Sequence, residues 1–114
     1  MSQNCAFCMI KRGDIASEFM YEDDRLFVIR DINPVAPVHL LIIPKQHMTI
    51  LSEKASNEEM ILGQMLSVAK EMATLVGLSE SGFRIVINQG PDSGQEVVHL
   101  HMHLIGGRRL SSMC

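Results

Sequence analysis

The sequence predicts an α+β domain: an antiparallel sheet with one long helix and a short N-terminal helix. Three observations predict it. Short runs of β-forming residues, punctuated by Pro and Gly, recur at 26–29, 39–43, 83–88 and 97–105. One segment, from about 57 to 76, repeats its apolar residues with the period of a helix. The 114 residues contain no internal repeat and no linker, which fits a single domain spanning 1–114.

The elements follow in order. Residues 5–13 read as a short helix, with Phe7, Cys8 and Ile10 to one side and Gly13 able to end it. Residues 18–21 make a short strand, 22–25 a polar turn, and 26–29 a second strand. Pro34 and Pro37 force 31–37 into a loop, because neither can donate to a ladder. Residues 39–43 form a buried strand stopped by Pro44. Ser56, with Glu59 three places on, has the spacing of a capping box. Met60, Ile61, Met65, Val68, Met72 and Leu75 then recur helically until Gly77. Residues 83–88 are a strand, 89–95 a Gly-rich polar loop, and 97–105 the last strand, ended by Gly106 and Gly107.

Bulk properties exclude several classes. With a formal charge of −3, no broad basic surface is expected, which argues against duplex nucleic acid as a partner. A mononucleotide needs no such surface, since backbone N–H groups and His can hold one phosphate. No apolar stretch approaches the roughly 20 residues of a membrane span, and no basic segment precedes an apolar run at the start. A cytoplasmic enzyme with no membrane partner is therefore expected. Three cysteines, Cys5, Cys8 and Cys114, are an odd number and suggest no disulfide scaffold.

The chemistry concentrates in His99, His101 and His103. On a strand, alternate side chains share a face, so these three imidazoles are expected on one side and Leu100, Met102 and Leu104 on the other. A solvated face would use Lys, Glu, Thr or Ser instead. Three aligned imidazoles suit a metal site, or covalent catalysis with one ring attacking and the others orienting it. The loop just before, Gly90 to Gln95, has glycines that let backbone donors approach an anion.

The run from Gly94 to Gly107 resembles the signature of the histidine-triad (HIT) superfamily, three His separated by apolar residues. Further segments are similar to its Hint branch: Phe7, Tyr21 to Arg25, Asp31 to Pro34, Pro37 to His47, and Val86 to Gly90. The similarity runs from about Cys5 to Arg108. It implies a homodimer that binds purine nucleotides and hydrolyses nucleoside phosphoramidates, such as adenosine monophosphate joined to an amine, or acyl-adenylates. It also implies that His101 attacks the α-phosphorus to form a nucleotidyl-histidine, which water then releases. His103 matches the position that contacts the α-phosphate, and Asn88, Gly94 and Gln95 match positions around it. Asp31 matches the carboxylate that binds the ribose hydroxyls; Phe7, Ile10, Ile29 and Ile32 match the apolar pocket for the base. His39 matches a His near the triad, expected to orient His99 or His101, or simply to fill the core.

The sequence departs from the common pattern at several places. Glu96 stands where many members carry Ser; it suits either a general acid, if burial raises its pKa, or an exposed strand entry. Val98 and Ile29 replace residues that are often aromatic. Cys5 and Cys8 form a CxxC, which alone fits a redox pair, half a zinc site or two core residues. By resemblance, His47 and His99 complete it into a closed, structural zinc site. The helix ending near 76 and the strand at 83–88 are the candidates for the dimer interface. Rival readings remain: a dinucleoside polyphosphate hydrolase or nucleotidyl transferase, a nucleotide-binding regulatory protein with incidental hydrolysis, or a small metal-binding protein.

Overall fold

The computed structural model describes residues 5–50 and 58–113. The chain builds helix α1 (Ala6–Arg12), strands β1 (Tyr21–Glu22), β2 (Leu26–Arg30) and β3 (Val38–Pro44), helix α2 (Glu58–Leu75), and strands β4 (Phe83–Val86) and β5 (Met102–Gly106). The strands form one antiparallel sheet in the order β1-β2-β3-β5-β4. The α+β class expected from the sequence is therefore present. Ser56, the capping residue of the expected box, and Cys114 lie outside the described residues, whereas its partner Glu59 falls in the first turn of α2.

Alternation along the strands sorts the core into two layers. Leu26 and Val28 of β2, Leu40 and Ile42 of β3, and Met102 and Leu104 of β5 pack on one face. That face meets Ile61, Met65, Val68, Ala69, Met72 and Ala73 of α2, whose spacing gathers them into one stripe. The opposite residues, Phe27, Ile29, Leu41 and Ile43, pack with Phe7 from α1. Because α1 has only 7 residues, it covers part of this second face and leaves a cavity beside it. Gly13 ends α1 with φ +89°, and its N–H donates to the Ile10 carbonyl while Asp14 N–H donates to Met9. Only glycine adopts that turn without strain.

Several boundaries differ from expectation. The first strand falls at Tyr21–Glu22 rather than 18–21, and β4 ends at Val86 rather than 88. The largest difference lies in the last strand. Instead of running through 97–105, it begins only at Met102. A tight turn precedes it, closed by His99 N–H donating to the Val97 carbonyl at 3.0 Å. Leu100 N–H then donates to the Met48 carbonyl at 2.7 Å, which docks the segment on the loop after β3 rather than on a sheet partner. Burial alternates only from Met102 onward, since Leu100, His101 and Met102 are all buried; the longer expectation came from the alternation of apolar residues with His.

Candidate active site

The register of the sheet places the site. Leu41 faces His103 and His39 faces Ile105, so His39 and His103 are diagonal neighbours on the α1 side. Asp31 follows β2 directly, its N–H donating to the His39 carbonyl at 3.0 Å, which brings its carboxylate to the same side. Val86 faces His103, and two residues further on Asn88 reaches the level of His101. The result is a cavity of about 710 Å³. His101, His103, His39, Asp31, Asn88 and Gly94 line it, together with the apolar Phe7, Ile10, Ile29 and Ile32. Ile32, 90% exposed, stands at its rim.

Hydrogen bonds assign a tautomer to each ring. Val35 N–H donates to His39 Nδ1 at 3.2 Å, so a neutral His39 carries its proton on Nε2. His39 Nε2 lies 2.9 Å from His103 Nδ1 and 3.3 Å from the Asp31 carboxylate. His103 Nδ1 is then the acceptor, and its own proton sits on Nε2. His101 is set the other way. Its Nδ1–H donates to the His99 carbonyl at 2.7 Å, so in a neutral His101 the lone pair is on Nε2. The ring centroids of His101 and His103 are 5.0 Å apart. The site therefore pairs a nucleophilic nitrogen with a neighbouring donor.

The charge state agrees. Burial pushes His103 down to about 4, helped by the nearby His101 and His39 and opposed by Asp31. Burial also lowers His39, against the pull of Asp31. Both rings are neutral at pH 7, as the tautomers require. Asp31, His39 and His103 lie close enough to suggest a second metal cluster, but the His39 Nε2 proton fills the gap between them with hydrogen bonds.

Four expected site residues sit differently. His99 does not share the cavity with His101 and His103; the turn at Val97 to His99 directs it to the cysteines. Gln95 does not line the cavity either. Its amide oxygen accepts from Gly90 N–H and its NH2 donates to the Val97 carbonyl, so it braces the loop. Glu96 lines the cavity but is exposed and lies outside any strand. His39 meets His103, not His99 or His101. The cavity is also lined by Ile15, Ala16, Ser17 and Val35, which the sequence did not single out. The only signal was the stop at Gly13, which turns the following residues back over α1.

A second cluster lies nearby. His99 Nδ1 is 3.3 Å from Cys5 Sγ and 3.6 Å from Cys8 Sγ, and His47 Nδ1 is 3.4 Å from Cys8 Sγ. The four ligand atoms all lie within 4.8 Å of one another. Ligands about 2.0–2.3 Å from a tetrahedral zinc ion stand about 3.3–3.8 Å apart, so the donors fit. His99 Nε2–H donates to the Pro44 carbonyl at 2.8 Å, which fixes Nδ1 as the ligating nitrogen. Burial lowers His99 to about 4, the neutral form a metal needs, although the Pro44 bond opposes this. Phe7 packs edge-on against both His99 and His101, linking the two clusters.

Among the described residues, no helix is long and apolar enough to cross a membrane. The HIT domain model matches residues 12–110. A purine nucleoside phosphoramidase of Escherichia coli is 41% identical over 113 residues, covering 99% of this chain and 95% of its own. A HIT family hydrolase from Legionella pneumophila superposes with a TM-score of 0.88 at 44% identity, covering 95% of this chain and 96% of its own. A Zn-bound histidine triad family protein from Mycobacterium smegmatis gives 0.81 at 33% identity, covering 95% of this chain and 78% of its own. Fold, histidine cluster and sequence match agree: the chain belongs to the HIT domain family.

Proposed function

We propose that the chain hydrolyses purine nucleoside phosphoramidates, or the related acyl-adenylates, through a nucleotidyl group carried on His101. The opposed tautomers of His101 and His103 carry this reading. The His101 Nε2 lone pair forms a bond to the α-phosphorus as the bond to the leaving nitrogen breaks. The electron pair goes to that nitrogen, which takes a proton from solvent. Water then attacks phosphorus, gives up its proton, and releases the mononucleotide and the free imidazole. The Nε2–H of His103 donates to a phosphoryl oxygen as charge develops there. Gly94, in the left-handed region at φ +83°, lets the loop backbone lie close to the phosphate.

The rest of the cavity suits a nucleoside. Asp31 accepts from the ribose diol, while Phe7, Ile10, Ile29 and Ile32 contact the base. Cys5, Cys8, His47 and His99 would hold a structural zinc ion, which fixes the segment leading into His101. The similarity to the E. coli phosphoramidase supports the substrate class. A homodimer through β4 and α2 completes the reading. β4 is a sheet edge with Phe83 41% exposed, and α2 exposes Met60, Leu66 and Leu75.

His101→Asn tests the mechanism, since Asn keeps a polar group of related shape but has no nucleophilic ring nitrogen. Turnover of adenosine 5′-phosphoramidate is expected to fall by about 10⁴-fold or more, with mononucleotide affinity retained within a few-fold. Turnover within tenfold of the parent chain contradicts the assignment. A preference for dinucleoside polyphosphates over phosphoramidates would favour the polyphosphate hydrolase instead.

A further inference from the structure

Glu96 lines the same cavity as His101 and His103 and is exposed at its mouth. Among the described residues, no ion pair includes it. The loop that walls this end, residues 89–96, carries Asp92 and Glu96 and no Lys or Arg. Among the described residues, the one Lys or Arg lining the cavity is Arg30, next to Asp31, and its guanidinium lies 3.6 Å from Glu18. A carboxylate therefore lines the cavity in which an anionic phosphate must meet His101 and His103, and among the described residues the loop that carries it has no side-chain cation. Like charges that share one cavity repel, and a positive charge placed between or beside them relieves the repulsion. A substrate's leaving group can carry that charge. The cavity wall continues from Glu96 to Val97, which offers an apolar surface to an aliphatic spacer.

We propose that Glu96 is a specificity-determining residue that favours leaving groups carrying a positive charge. The preferred substrates are then nucleoside phosphoramidates whose amine bears a second, protonated amino group a few carbons away. This rests on the phosphoramidase reading above. Glu96 exchanges no proton in the step: the phosphorus–nitrogen bond breaks, the nitrogen keeps the electron pair and takes its proton from solvent, and the carboxylate acts through its charge alone.

Three adenosine 5′-phosphoramidates of matched chain length test it, made from pentylamine, 1,5-diaminopentane and 5-aminopentanoate. For the parent chain, kcat/KM is expected to rank cationic above neutral above anionic. The cationic-to-anionic ratio should be about tenfold or more at low salt and shrink as salt is added. Glu96→Gln is expected to bring the three values within about twofold of one another, and Glu96→Lys to reverse their order. No charge preference in the parent chain overturns the proposal. So does a fall of all three by one common factor in Glu96→Gln, which would instead mark Glu96 as a proton donor or a support for His101. Absence of turnover on all three substrates rejects the phosphoramidase reading itself, and the proposal with it.

Discussion

His103 illustrates how far a single ring depends on its surroundings. Its ordinary value of 6.5 falls to about 4 because burial strips water from the charged form. Between those two pH values the unfolded chain binds a proton that the folded chain does not. Stability from this ring is therefore fully present above about pH 6.5 and is lost as pH falls toward about 4. His39, also lowered by burial, adds in the same direction. The urea midpoint is expected to fall between about pH 7 and about pH 5, and to fall less steeply in His103→Asn. An equal slope in both proteins would remove His103 from the effect. The sequence made three His conspicuous, but it could not say which hydrogen bonds set their tautomers. The donor to His39 is a backbone N–H in a proline-bounded loop, at Val35. Backbone donors leave no trace in residue type.

The strand expected at 97–105 explains where reading by periodicity stops. Leu100, Met102 and Leu104 alternate with His just as a strand requires, and all three are buried on the α2 side. Pairing, however, needs a partner strand. β3 and β5 pair from Val38 opposite Gly106 only as far as Ile42 opposite Met102, and the chain before Met102 turns toward Met48 and the cysteines. The turn sends His99 to the cysteines while His101 and His103 line the cavity, so the three rings divide between two clusters. The helices were easier to read. In α2, Ile61, Met65, Val68 and Met72 are buried as their spacing suggests, whereas Met60 and Leu75 at its ends are exposed, and Gly13 stops α1 as its place in the sequence suggests. The cysteine cluster leads to a separate outcome. One zinc ion per chain is expected by native mass spectrometry, and Cys8→Ser should lose it and lower the melting temperature by several degrees. Identical melting curves with and without a strong chelator would leave the cluster as packing without metal.

For the molecule as a whole, the sheet ends at β4 with one edge unpaired among the described strands. Phe83 on that edge and Leu66 and Leu75 on α2 give the exposed apolar area that a second copy would cover. Light scattering is expected to report a dimer, and a Phe83→Asp, Leu66→Glu double variant a monomer; a monomeric parent chain would contradict the interface. The domain class, the two helices and the cavity-lining Asp31, Asn88 and Gly94 were legible from pattern and resemblance. The cavity's wall at Ile15 to Ser17 was not, because loop residues carry no periodicity and gain their place only when α1 docks on the sheet. All of this converges on one nitrogen, Nε2 of His101, left as a lone pair at the cavity. The most direct test is rapid quenching of the chain with a radiolabelled adenosine phosphoramidate, followed by peptide mapping. An alkali-stable, acid-labile nucleotidyl group on the peptide bearing His101 is predicted. Turnover without any such adduct, or an adduct on His103, would contradict the account.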